Sequence, residues 1–155
     1  MDKAPKRWLT LEEQKLWRAF LGAQFRLTKK LNEDLEKSAG IDLLTYEIFV
    51  KLSESNDHSM RMTDLAKSVS ANKSRLTYRV TQLEIDGLVK RLEVLEDGRG
   101  QTCQLTKKGF ALIKKYSSVH VDGVLQNFIE PIGDGKVKYL TDVFNSIAPG
   151  VEIEK

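Results

Sequence analysis

The chain has 155 residues, with 25 Lys+Arg against 22 Asp+Glu and a formal net charge of +3. With 41% hydrophobic and 30% charged residues it can bury a core, and its length fits one compact domain or a small domain with helical extensions. The charge excess excludes a histone-like polycation, and a single cysteine excludes an intramolecular disulfide or a cysteine-rich zinc site and fits a reducing compartment.

The opening MDKAPKRWLTLEEQ has basic residues with no apolar stretch after them, so no secretory signal is visible. Nowhere do about 18 apolar residues run uninterrupted, the length a spanning helix needs. A soluble, cytoplasmic chain without internal repeats is expected. From about Leu11 to Lys37 the spacing predicts a long helix: Thr10 and Glu13 have capping-box spacing, and Leu16, Phe20, Leu27, Leu31 and Leu35 recur near one face. Trp17, Leu21 and Phe25 widen that stripe, which calls for a neighbouring helix and another subunit, and Gly40 is a plausible C-cap. A second helix follows from about Leu44 to Glu54, then a polar loop, SESNDHS. Thr63 is expected to cap a short helix from Asp64 to Val69, and after a polar turn Lys73 to Asp86 reads as another helix.

The two faces of that helix differ. Leu76, Val80 and Leu83 share one, while Ala71, Ser74, Arg75, Tyr78, Thr81 and Gln82 lie opposite, with no carboxylate before Glu84. Hydroxyls, amides and a guanidinium can contact phosphates or base edges, which would repel carboxylates; the alternative is an ordinary solvated face. Leu88 to Leu95 and Gln101 to Leu105 then read as two strands around the turn signal EDGRG. Short helix, turn, longer helix and hairpin is the order of a winged helix-turn-helix. Thr106 caps a helix continuing to Phe128, which Pro131 and Gly133 break, and a last helix runs from about Gly135 to Ile147. The expected fold is mainly α with a small β-hairpin wing. A winged-helix lobe at about 42–108 is flanked by dimerisation helices at about 10–40 and 107–148, all within a single domain spanning 1–155.

These segments resemble the MarR (multiple antibiotic resistance) family of transcriptional regulators. The likeness lies in the first helix with Trp17, in "LTYEIFVKLSES", "MRMTDLAKSVSANKSRLTYRVTQLEIDGLVKR" and "EDGRGQTCQLTKKGF", and in the closing "HVDGVLQNFIEPIGDGKVKYLTDVFNSI". Its most specific piece is Asp97-Gly98-Arg99 running on to Leu105-Thr106, similar to the family's D-x-R…LT wing. The resemblance implies a triangular homodimer that binds a short inverted repeat in double-stranded DNA and usually represses. It also implies release by a small aromatic anion in many members, and response to thiol oxidation in some.

The candidate DNA-contacting residues follow. Ser70 or Asn72 would cap the recognition helix and direct backbone N–H groups to a phosphate; Lys73, Ser74, Arg75 and Tyr78 form its outward face. Arg75 is the first candidate for a guanine edge, against a phosphate contact or an intrahelical salt bridge. Arg79 lies nearer the buried side. Arg99 resembles the family's minor-groove arginine, with Asp97 placed to hold it. Thr63, Lys90 and Arg91 are further phosphate candidates. Trp17, Phe20, Tyr46 and Phe49 are either an effector pocket or core. Cys103 alternates with Leu105 and reads as a buried thiol; in oxidant-sensing relatives the reactive cysteine typically lies near the start of the first helix, where this chain has none. His58 and His120 do not suggest a metal, no cofactor is expected, and there is no Gly-rich phosphate loop, nucleophile elbow or zinc-protease pattern. The alternatives are a redox regulator acting through Cys103, or a helical dimeric adaptor that does not read DNA. From Arg61 to Lys108 there are ten Lys/Arg and six Asp/Glu, so this segment carries +4 and the remainder −1.

Overall fold

The computed structural model describes residues 7–93 and 100–148. Helix α1 spans Leu11–Ala39 and starts at the expected capping box: Thr10 Oγ1 accepts the Glu13 N–H at 3.3 Å and Glu13 Oε2 accepts the Thr10 N–H at 2.8 Å. It ends where Gly40 takes φ 67°, a left-handed conformation in which its N–H reaches Glu36 O at 3.0 Å. The stripe on α1 is split. Leu31 and Leu35 are buried, whereas Leu16, Trp17, Phe20 and Phe25 in the first half remain exposed.

Helix α2 (Leu43–Glu54) is capped by Asp42 Oδ1, which accepts the Thr45 N–H at 2.9 Å, and is joined to α1 by Leu43 N–H donating to Asn32 Oδ1 at 2.9 Å. Leu44, Ile48, Phe49 and Leu52 place it at the centre of the core. The expected loop SESNDHS is more ordered than its polarity implies. Ser53 and Glu54 finish α2, and Asn56–His58 form a 3₁₀ turn in which Asp57 and His58 have φ of 53° and 51°. Ser59 then opens a third strand, β1 (Ser59–Arg61). Gln104 Nε2 donates to Asp57 O at 2.9 Å, and His58 packs on Phe110 with ring centroids 4.8 Å apart. A three-residue strand is too short to register as alternation in the sequence; only its partner makes it a strand.

Helix α3 (Met62–Ser68) begins directly after β1, so Arg61 occupies the N-cap position but its side chain does not cap the helix, and Thr63 lies inside the first turn. The expectation that Thr63 caps this helix is therefore corrected: strand pairing fixes the backbone up to Arg61, leaving no extended residue at Thr63. Helix α4 (Lys73–Ile85) buries Leu76, Val80 and Leu83 as expected. Strands β2 (Val89–Glu93) and β3 (Gln101–Leu105) pair antiparallel in the register Val89↔Leu105 to Glu93↔Gln101, and β1 pairs on the other side of β3. The wing is thus a three-stranded sheet rather than a hairpin alone.

Thr106 ties the sheet to helix α5 (Lys107–Val124). Its N–H donates to Leu88 O at 3.1 Å, while its Oγ1 accepts the Gly109 N–H at 3.1 Å and donates to Gly87 O at 2.8 Å. Past Val124 the helix widens into a π turn, Leu125–Ile129, followed by a short turn α6 (Glu130–Ile132). Pro131 consequently does not break the helix. It follows directly on the π turn, whose wider spacing accommodates a residue without an N–H, and Gly133, at φ 79°, makes the break. After a 3₁₀ turn at Asp134–Lys136, helix α7 (Val137–Ile147) closes the described chain. The core joins the C-terminal half of α1 to α2, α3, α4, the sheet and the start of α5. No helix among the described residues is long and apolar enough to cross a membrane.

Candidate nucleic-acid interface

Helices α3 and α4, with the turn at residues 69–72, form a helix-turn-helix, and burial of Leu76, Val80 and Leu83 turns the opposite face of α4 outward. Lys73, Ser74 and Arg75 on that face are exposed, and Tyr78 is 64% exposed. No ion pair among the described residues engages Arg75, so the intrahelical salt bridge weighed for it is absent there. The outward hydroxyls are less available than their positions suggest. Thr77 Oγ1 donates to Lys73 O and Thr81 Oγ1 to Thr77 O, each at 2.9 Å.

Of the two capping candidates, Asn72 is the cap: its Oδ1 accepts the Arg75 N–H at 2.9 Å. Ser70 is not. Its N–H donates to Glu47 Oε2 at 2.9 Å, which directs that group to α2 instead of to a phosphate. Thr63 is exposed at the start of α3, and Lys90 is exposed on β2. Arg91 is turned back onto α4. Its Nη2 donates to Thr81 Oγ1, its Nε lies 3.7 Å from Glu84 Oε2, and its backbone N–H donates to Glu84 Oε1 at 2.9 Å. This guanidinium braces the wing against the recognition helix. Asp97 and Arg99 lie outside the described residues, between the strand ends Glu93 and Gln101.

The four aromatic residues considered as one effector pocket are not brought together. Trp17 and Phe20 stack at 5.9 Å on the outer half of α1, with Phe144 of α7 at 6.3 Å from Phe20. Phe49 is fully buried in the core, and Tyr46 is buried with its ring 4.4 Å from His120. Their helical spacing on α1 and α2 said nothing of how those helices would be placed. A cavity of about 630 Å³ opens elsewhere, between α1, α2 and the start of α4, lined by Leu21, Phe25, Lys29, Glu47, Ser70 and Arg75. Sequence reasoning missed Glu47 and Asp42. An acidic residue on an amphipathic helix carries no local sign of a partner more than twenty positions away.

Cys103 is fully buried at the centre of the sheet, paired between Met60 and Arg91. Burial pushes its thiol up to about 12, against the opposing influence of Arg91. His120 is lowered from its ordinary value by burial, partly opposed by Glu47, and its Nδ1 is shielded without a hydrogen-bond partner among the described residues. Burial raises Tyr46, with Glu54 adding to the shift. Among the described residues no group of three His, Cys, Asp or Glu could hold a metal.

Comparison with known proteins agrees with this arrangement. The model of the MarR family matches residues 43–100. A MarR family regulator from Streptomyces coelicolor, Sco3205, solved in complex with DNA, is 35% identical and superposes with a TM-score of 0.89 over 97% of this chain and 94% of its own. AbsC, a MarR family regulator from the same organism, is 37% identical with a TM-score of 0.86, over 92% of this chain and 96% of its own. The HTH-type transcriptional repressor YetL of Bacillus subtilis is 28% identical over 130 residues, 80% of this chain and 78% of its own. These relatives are transcriptional regulators, not enzymes.

Proposed function

Because the chain belongs to the MarR family of transcriptional regulators, we propose that it binds an inverted-repeat operator in double-stranded DNA as a homodimer and acts as a repressor. The observation that carries this reading is the outward face of α4, where Lys73, Ser74, Arg75 and Tyr78 are exposed with no carboxylate among them, beside a wing. Arg75 is the base-edge candidate, Asn72 fixes the start of the helix, and Thr63, Lys90 and Arg99 add contacts to phosphate or the minor groove. The homodimer is supported by the apolar surface left on the outer half of α1 and on α7, where Leu16, Trp17, Phe25, Tyr139 and Ile147 are all more than half exposed.

A small aromatic anion suits the cavity of about 630 Å³ that contains Phe25, Lys29 and Arg75. Bound there, it would favour a dimer whose recognition helices are wrongly spaced for successive major grooves. Regulation through Cys103 is not favoured, since its thiol is buried and pushed up to about 12.

Fluorescence anisotropy against duplexes from the promoters of its own and neighbouring genes tests the reading. Binding should weaken steeply with salt. Arg75→Ala should cost about 1–3 kcal/mol and relax sequence preference, and Arg99→Ala should weaken binding with the fold intact. Absence of a specific complex at every promoter would favour the dimeric adaptor.

A further inference from the structure

The recognition helix is held from behind by two carboxylates of one neighbouring helix. In the turn before α4, Glu47 Oε2 takes the Ser70 N–H at 2.9 Å. Midway along α4, Arg79 Nη2 donates to Asp42 Oδ2. Asp42 is committed on both oxygens, because Oδ1 accepts the Thr45 N–H and so caps α2. It also stands two residues after Gly40, where the long helix α1 ends. Arg79 is one turn on from Arg75, at the border of the exposed face, and its Nε is shielded from solvent. The guanidinium therefore lies back against Asp42 instead of reaching outward; the two side chains are 31% and 17% exposed.

We propose that Asp42 and Arg79 are positioning residues for DNA reading, a pair that fixes the rotation of α4 about its own axis without itself touching DNA. The inference rests on the DNA-binding reading above. The geometric need is plain: turning a helix of roughly 5–6 Å outer radius by about 10° carries a side-chain tip about 1 Å sideways. A hydrogen bond to a base edge tolerates only a few tenths of an ångström. The packing of Leu76, Val80 and Leu83 sets which side of α4 is inward, but apolar contacts are non-directional, and a charged hydrogen bond from the flank is not.

Asp42→Asn separates this role from capping, since asparagine is an equally good N-cap. It also separates positioning from through-space electrostatics. Removing a negative charge beside a DNA-binding face should tighten binding if charge alone matters, and loosen it if the pair aligns the helix. With fluorescent duplexes from the promoter of the protein's own gene, we expect Asp42→Asn to bind roughly threefold to tenfold more weakly. The slope of log affinity against log salt should not change. Arg79→Lys, which keeps the single charged hydrogen bond, should bind nearly as wild type. Arg79→Met should match Asp42→Asn and add nothing in the double variant, because the residues act through each other. Equal or tighter binding by Asp42→Asn overturns the inference. So does an Arg79→Met slope shallower by about one per subunit, the mark of a lost phosphate contact. Failure of the wild-type protein to bind any promoter duplex overturns the DNA-binding reading itself, whereas wild-type binding with unaffected variants overturns this inference alone.

Discussion

Replacing Gly109 by alanine tests how closely the wing is joined to α5. Gly109 lies in the first turn of α5, and a Cβ built there would sit 2.2 Å from Leu88 O and 2.8 Å from Leu105 Cδ1. The leucine methyl can rotate away. The Leu88 carbonyl cannot easily move, because it accepts the Thr106 N–H at 3.1 Å and shares with Gly87 O the single proton of the Thr106 hydroxyl, 3.0 Å away. The substitution must therefore push the strand root from the helix or break those bonds. Overpacking costs typically about 1–3 kcal/mol, and each weakened hydrogen bond about 0.5–1.5 kcal/mol. Higher helix propensity returns at most about 1 kcal/mol. The net expectation is a loss of about 2–3 kcal/mol, which for a chain of this length lowers Tm by roughly 5–10 °C. Thermal unfolding followed by circular dichroism at one fixed protein concentration measures it, with Gly135→Ala as control. A Cβ at Gly135 meets nothing within 4 Å, so that variant should be neutral or gain up to about 1 kcal/mol. A Gly109→Ala protein as stable as wild type would refute the close approach.

Two further outcomes follow from the half-buried His120 and the buried Cys103. His120 is lowered below its ordinary value of 6.5 by burial, with Glu47 opposing, so the folded protein favours the neutral ring. Its contribution is therefore complete above about pH 6.5 and is lost as pH falls through the folded value. The Tm of the wild type should drop more between about pH 7.5 and 5.5 than that of His120→Gln, and equal drops would contradict this. Cys103, buried and pushed up to about 12, should be almost entirely protonated at neutral pH. Mass spectrometry should find it unmodified by iodoacetamide or peroxide until denaturant is added, with DNA binding unchanged by peroxide; rapid modification of the native protein would revive the redox alternative.

Much of the fold was legible in the sequence because its signals are local. The Thr10–Glu13 box, the Asn72 and Thr106 caps, the spacing of Leu76, Val80 and Leu83, and the strand Gln101–Leu105 each depend on residues a few positions apart. The same periodicity sets the outward face of α4, on which Arg75 and Tyr78 are exposed. Element boundaries were less legible where a partner decides them. Thr63 has the chemistry of a cap but loses the position to strand pairing at Arg61, and Pro131 is accommodated by the π turn before it.

The sequence by itself determined the order of the main helices and of the two wing strands, the apolar side of each helix and the concentration of positive charge between Arg61 and Lys108, since all three are properties of neighbours along the chain. Only the tertiary structure decided which polar groups meet. It sent Arg79 to Asp42 and Ser70 to Glu47, turned Arg91 onto α4, and separated Tyr46 and Phe49 from Trp17 and Phe20. It also left the outer half of α1 exposed while sealing Cys103 inside the sheet. The physical reason is that burial and ion pairing depend on the relative placement of whole elements. Helical periodicity fixes which way a side chain leaves its own axis, but not which axis lies across from it.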